Sequence, residues 1–180
     1  MTVVHHPPYL VEAFGAHQLS SEEDYALLSV LDHIMWNRMR GLTELVDPRH
    51  PGGHLGGEPG WSIDRQMEPG EARLFVARQR IEFANAKPKP VVVPDPPADA
   101  GPDPTWPRWA RFKAELGFPD EFGNPKYPLC YYDAATFEDF LKKILAVYVK
   151  YHPESTAQAE QILKHAAYWV EHDANRGSAA

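Results

Sequence analysis

Cysteine is nearly absent from this chain of 180 residues, and long apolar runs are missing altogether. The single cysteine, Cys130, excludes a disulfide within the chain and fits a reducing compartment. No uninterrupted apolar stretch approaches the roughly 20 residues that a membrane-spanning helix needs. Residues 1–10 also lack the basic and apolar layout of a signal peptide. The sequence therefore predicts a soluble, cytoplasmic protein with no membrane partner.

Basic charge is scarce as well. The formal net charge is −7 and no segment is basic, which argues against nucleic acid as a partner because phosphate binding needs concentrated Lys and Arg. Hydrophobic residues make up 43% of the chain, enough for the core of one medium domain. No nucleotide loop, nucleophile with its base, or cofactor motif is present in the required context. We therefore expect no cofactor and favour a non-catalytic role, with an enzyme left open.

Proline is abundant, and its distribution divides the chain. Eight of the eighteen prolines lie between Lys87 and Pro107, in the stretch KPKPVVVPDPPADAGPDPTWP. Proline fixes φ and has no N–H, so this stretch cannot be a helix or a central strand. We predict a proline-rich strap, with residues 88–94 docked on the helices and residues 95–104 exposed. The strap would join two helical halves, 20–86 and 108–180, into one domain.

Helical periodicity with start and stop signals recurs outside the strap. The Ser20–Glu23 capping pair opens a first helix that stops at Gly41. Four further helices are predicted at 69–86, 107–116, 133–152 and 155–175. The prediction is a mainly α protein with about five helices, of which two are long in the N-terminal half, one is short and two form a C-terminal αα-hairpin. Residues 1–19 would be an extended arm, and residues 47–70 an irregular Gly/Pro-rich loop.

The Gly/Pro-rich loop contains the candidate metal ligands. His50 and His54 are four residues apart, and Asp47, Glu58 or His33 could complete a set of nitrogen and oxygen ligands. The intervening Pro-Gly-Gly removes the helix that would fix such a pair. The alternative is a surface loop in which these histidines are ordinary polar residues.

Several aromatic and apolar residues fall outside the core pattern and are predicted to contact a protein partner or a second copy. Trp36 projects from a polar helix face, and the second helix is apolar on two sides. The predicted partner-binding residues are Trp36, Phe75, Val76, Phe83, Trp106, Trp109 and Tyr168. Arg38, in contrast, projects from an apolar face and is predicted to pair with an acid such as Glu71 or Glu82.

The C-terminal sequence DAATFEDFLKKILAVYVKYHPE, followed by AEQILKHAAYWVEHD, resembles helix II, the loop and helix III of a J-domain. That family stimulates the ATPase of a heat-shock chaperone. The resemblance implies that His152, Pro153 and Glu154 would touch that chaperone. The family's His-Pro-Asp reads His-Pro-Glu here.

Three functional hypotheses follow from the sequence. The favoured one is a non-catalytic helical interaction or structural subunit of a larger assembly, such as a multisubunit complex or a viral particle. The alternatives are a small metal-dependent enzyme that uses the His50/His54 loop and a J-domain-like co-chaperone.

Overall fold

The computed structural model describes residues 8–19, 24–37, 39–51, 53–57, 61–71, 73–74, 76–77, 80, 102–116 and 129–177. For residues 16–19, 25, 33–37, 57 and 177 it describes the backbone alone. The elements in chain order are α1 (Pro8–Leu19), α2 (Tyr25–Asn37), α3 (Met39–Val46), β1 (His54–Gly57), β2 (Trp61–Arg65), β3 (Phe112–Leu116), β4 (Cys130–Tyr132), α4 (Ala134–Tyr151), a 3₁₀ turn (Pro153–Ser155) and α5 (Thr156–Gly177).

An antiparallel sheet of four strands, in the order β1-β2-β3-β4, corrects the predicted fold class. The prediction of a mainly α protein is wrong, because the described residues form this sheet in addition to five α-helices. The sheet joins two segments far apart in the sequence, since β2 pairs with β3 in a register that sets Ile63 opposite Ala114.

β3 forms the second half of the segment 107–116, which is predicted to be a short helix. Phe112, Ala114 and Leu116 are buried on the inner face of the sheet, while Lys113 and Glu115 point to the outer face. This alternation is the period of a half-buried strand. The helical prediction for 107–116 is therefore wrong, and the residues before β3 form turns.

β1 and β2 arise within the segment that was expected to be irregular. Glycine just before β1 allows close packing and is not only a chain breaker. A Cβ added at Gly53, the residue before β1, would lie 2.6 Å from the Cβ of Arg65 and 2.8 Å from the carbonyl oxygen of Leu45. The close approach of these backbone segments therefore requires glycine.

The first described helix, α1, corrects the prediction of an extended arm at 1–19 for residues 8–19, and residues 1–7 lie outside the described residues. Pro8 stands at its first position, where a missing N–H costs no hydrogen bond. α1 packs against α4 through Tyr9 with Tyr148 and Phe14 with Phe140, at ring-centroid distances of 5.7 and 5.6 Å. Within α1, Gly15 has φ 75° and interrupts the helix.

α2 and α3 lie against the inner face of the sheet. The predicted stop at Gly41 is wrong, because α3 continues through it to Val46. A Cβ at Gly41 would lie 2.5 Å from Leu55 Cδ1, so glycine here lets α3 approach β1.

Three residues that the sequence analysis names, Ser20, Glu23 and Arg38, lie outside the described residues. Between residues 71 and 80, the described positions are helical, as the sequence predicts for that segment.

The C-terminal helices begin and end as the sequence predicts, to within two residues. The Asp133 side chain accepts a hydrogen bond of 2.6 Å from the Thr136 backbone N–H and caps α4. α4 ends at Tyr151, and the 3₁₀ turn leads into α5, which packs along α4.

None of the described helices is both long and apolar enough to cross a membrane. Residues 88–94 of the predicted strap lie outside the described part of the chain.

The core fills the space between the inner face of the sheet and the helices. Phe112 of β3 stacks on Phe137 of α4 with 3.9 Å between ring centroids, and Tyr132 of β4 packs edge-on against Phe140. α3 meets α5 on the other side of this core. These contacts place the end of β2 and the start of β3 beside α5, where two buried arginines lie.

Candidate functional site

Arg65, at the end of β2, is the first of two buried arginines. Its guanidinium forms a two-pronged ion pair with the Glu71 carboxylate, at 3.1 and 3.0 Å. Its remaining N–H groups reach the carbonyl oxygens of Leu45 at 3.1 Å and His50 at 2.9 Å. Arg65 is only 3% exposed and Glu71 9%. A buried ion pair is tolerated only when its N–H groups find hydrogen-bond acceptors, and the Glu71 carboxylate and the two backbone carbonyls provide them.

Arg111, just before β3, is 2% exposed and lies beside Arg65. It donates from Nε to Asp173 Oδ2 at 3.0 Å and from Nη2 to Asp173 Oδ1. Its Nη1 donates to Glu68 Oε1 at 2.5 Å. Arg176 adds a second cation to Glu68, at 3.0 Å. These contacts connect the sheet to α5.

Trp169 of α5 lies between these charged groups and the core. Its ring centroid is 4.3 Å from Arg65 Cζ and 4.8 Å from Arg111 Cζ. Such contacts are favourable because the ring face is electron-rich. The indole Nε1–H donates to the Val46 carbonyl oxygen at 2.8 Å, which satisfies an acceptor at the end of α3.

We call this group the arginine cluster; it contains Arg65, Glu68, Glu71, Arg111, Trp169, Asp173 and Arg176. Its three guanidinium groups face three carboxylates, so the formal charges balance. Burial by itself would raise the pKa of Asp173, but the hydrogen bonds and charge of Arg111 outweigh burial and lower it. The arrangement holds α5 and α3 onto the sheet and leaves the two buried guanidinium groups engaged within the protein.

Sequence reasoning missed both buried arginines. Glu71 is one of the two acids that the sequence suggests for Arg38, whereas the structure pairs it with Arg65. A usable signal was present, because Trp61, Ile63 and Arg65 alternate with Ser62 and Asp64 as in a strand with one buried face. Placing Arg65 on that face would have required an acidic partner nearby, and Glu71 follows six residues later.

The outer face of the sheet carries a second group of polar side chains. His54, Asp64, Lys113 and Tyr131 are direct cross-strand neighbours, one from each strand, and we call them the outer-face row. His54 Nδ1 is hydrogen-bonded to Asp64 Oδ1, and Lys113 Nζ lies 3.1 Å from Asp64 Oδ2. The row therefore alternates base, acid and base across the sheet.

The charges of the outer-face row shift one another's pKa values. The hydrogen bond that His54 donates to Asp64 raises the pKa of His54, against the opposing effects of burial and of the Lys113 charge. Burial would raise the pKa of Asp64, but its hydrogen bond with His54 and the Lys113 charge lower it. Asp64 therefore stays ionised between two potential cations.

The predicted metal ligands make other contacts. Asp47 pairs with Arg49 at 2.9 Å, which lowers the pKa of Asp47, and His54 is bound to Asp64. The backbone carbonyl of His50 accepts a hydrogen bond from Arg65. Over the described ranges, no group of three or more His, Cys, Asp and Glu side chains is placed to hold a metal ion. The metal-dependent enzyme stays an untested prediction.

The predicted partner-binding residues fall into three groups. The side chains of Trp36, Phe75 and Phe83 lie outside the described part of the structure. Val76 is half-buried, and Tyr168 is 44% exposed on α5 beside Trp169. The remaining two, Trp106 and Trp109, lie together in one turn region.

This region, Asp103–Ala110, we call the tryptophan turn. Asp103 Oδ1 accepts hydrogen bonds from the Thr105 backbone N–H at 2.9 Å and from its hydroxyl at 2.7 Å, which lowers the pKa of Asp103. Two backbone bonds, from Trp106 N–H to Asp103 and from Ala110 N–H to Pro107, close successive turns. The Trp106 ring packs edge-on against Tyr131, 5.6 Å away, at the end of the outer-face row.

The residues that carry the J-domain resemblance surround the turn between α4 and α5. The His152 ring stacks on Tyr148 at 4.3 Å, and its Nδ1 lies 3.4 Å from Glu154.

Comparison of the chain with protein-family models, with curated protein sequences and with solved structures found no match. The co-chaperone hypothesis stays a prediction from sequence resemblance.

Proposed function

We propose that this chain is a non-catalytic interaction or structural subunit of a larger protein assembly, and that Trp109 anchors the partner. The observation that carries the proposal is the 60% exposure of the Trp109 side chain. Tryptophan is among the residues that dominate interface energetics, because its large apolar surface is worth most when a partner covers it.

The position of Trp109 supports this role, because the tryptophan turn is held at both ends. Two closed backbone turns and the Asp103 side chain fix the segment, and Trp106 rests on Tyr131. A side chain presented from an ordered turn loses little conformational freedom when it binds, so more of its contact energy appears as affinity.

The arginine cluster supports the non-catalytic part of the proposal. Arg65 and Arg111 have the burial and charge typical of catalytic arginines, yet their N–H groups are engaged by carboxylates and by backbone carbonyls. A group that is fully engaged within the protein stabilises the fold and cannot also bind a substrate anion without losing those bonds.

Native mass spectrometry on the tagged chain, isolated gently from its source cells, tests the proposal. We expect most of the chain in a complex of defined stoichiometry, either with other proteins or with further copies of itself. Recovery of the lone chain as the dominant species, at low salt and without dilution, would refute the assignment as a subunit.

A further inference from the structure

Three histidines in the described part of the chain have a carboxylate beside Nδ1, and they differ in exposure. The pairs are His54 with Asp64, His152 with Glu154 at 3.4 Å and His172 with Asp173 at 3.3 Å. The histidine side chains are 64%, 43% and 26% exposed, respectively. His54 thus combines a carboxylate partner with the most open imidazole of the three.

Asp64 is held so that it fixes the tautomer of His54. Its other carboxylate oxygen contacts Lys113 Nζ at 3.1 Å and accepts a hydrogen bond from Ser62 Oγ at 3.4 Å. With Nδ1 donating to Asp64, the neutral imidazole carries its lone pair on Nε2. The Lys113 charge offsets that of Asp64, so an approaching anion does not meet an isolated carboxylate.

The Nε2 atom of His54 lies close to Gly56, whose lack of a side chain makes room for the ring. His54 and Gly56 are on the same face of β1, and the Nε2 atom is 3.0 Å from the position that a Cβ at Gly56 would take. Any residue larger than glycine at position 56 would press on Nε2.

We propose that His54 is a modification site that accepts a phosphoryl group on Nε2 from a small N-phosphorylated donor. The Nε2 lone pair forms a bond to phosphorus while the P–N bond of the donor breaks. The donor reacts in the form protonated on nitrogen, so the nitrogen keeps the electron pair of that bond and leaves as a neutral amine. The Nδ1 proton stays on the ring, hydrogen-bonded to Asp64. Because that proton keeps the imidazole a good leaving group, the modification is reversible. This proposal does not depend on the role of Trp109.

The test uses the folded full-length chain and potassium phosphoramidate at about pH 8, on the alkaline side because Asp64 raises the pKa of His54 and only the neutral imidazole has a free Nε2 lone pair. Mass spectrometry under non-acidic conditions locates the first phosphoryl group, and phosphorus NMR identifies the isomer. We expect the first equivalent on His54, as the Nε2 isomer, and modification of His152 before His172. A first equivalent on another histidine, or the Nδ1 isomer at His54, would overturn the proposal.

Three variants separate the proposed geometry from simple exposure. Gly56→Ala keeps both His54 and Asp64 but crowds Nε2, so we expect loss of the preference for His54. Asp64→Asn weakens the hold on Nδ1, and we expect both isomers at position 54. His152→Ala should leave modification of His54 unchanged. If Gly56→Ala and Asp64→Asn, both verified as folded by circular dichroism, react like the wild type, the geometry plays no part and the proposal is wrong.

Discussion

Arg111 holds Asp173 through two parallel hydrogen bonds, although 62 residues separate them in the sequence. One member precedes the central strand β3 and the other lies near the end of α5. The bond therefore ties the last helix to the sheet, and its strength is open to direct measurement.

Asp173→Asn should lower the free energy of unfolding by about 2 to 3 kcal/mol, because it leaves the buried Arg111 charge with only part of its partners. Asp139→Asn is the matched control, since Asp139 is 70% exposed and 3.9 Å from Lys142. The control should change stability by less than about 0.5 kcal/mol. Urea unfolding of both variants decides the matter, and equal small losses would show that the Arg111 pair does not stabilise the fold.

The same pair predicts a pH dependence with a definite sign. The pKa of Asp173 is lower in the folded protein than its ordinary value, so its contribution is present above that value and is lost as the pH falls through the folded pKa. The stability difference between wild type and Asp173→Asn should therefore shrink as the pH is lowered from about 5 towards 2. A difference that stays constant or grows over this range would contradict the assignment.

The sequence predicted the C-terminal helices but not the sheet. Asp133 is a strong cap before an apolar helical stripe, and both signals are local. The sheet depends instead on pairing β2 with β3, whose partners Ile63 and Ala114 lie 51 positions apart. Local patterns do not report such pairing, and the strands are only three to five residues long.

The glycine content of residues 47–70 predicts irregular structure, yet β1 and β2 lie within this segment. Glycine is typical of breaks in regular structure, but Gly53 permits close contact with Arg65 just before β1, and Gly56 permits the His54 ring to lie close to the backbone of the same strand. The arginine cluster could not be predicted from local sequence patterns, because its members come from three segments that are far apart in the sequence. What could have been predicted is the alternation in Trp61–Arg65 and Phe112–Leu116, which indicates strands with one buried face.

Trp169→Phe tests the contribution of the indole that lies beside both buried arginines. The substitution removes the Nε1–H donor and leaves the buried Val46 carbonyl without that partner, in addition to weakening the guanidinium contacts. We expect a loss of roughly 1 to 3 kcal/mol. Tyr168→Phe, one position earlier and 44% exposed, is the control and should be nearly neutral. Equal effects in thermal or urea unfolding would contradict a special role for Trp169.

Gly53→Ala should destabilise the protein by about 2 kcal/mol or more, because the new Cβ meets Arg65 Cβ at 2.6 Å and backbone oxygen at 2.8 Å. Gly70→Ala is a useful comparison. Gly70 has φ 89° and open space around its Cβ position, so only backbone strain of about 1 kcal/mol is expected. If Gly53→Ala costs less than Gly70→Ala in chemical unfolding, the close packing of β1 on Arg65 is not as tight as the structure indicates.

Whether Trp109 anchors a partner is decided by size-exclusion chromatography of tagged chains in extracts of the source cells. Leu74→Ala is the matched control, because Leu74 is 62% exposed and Trp109 60%. Wild type and Leu74→Ala should elute together at a mass well above that of the free chain, and Trp109→Ala should shift to the free-chain position while remaining folded. Co-elution of all three in the large complex would show that Trp109 is not the anchor, and elution of the wild type as a free chain would contradict the assembly itself.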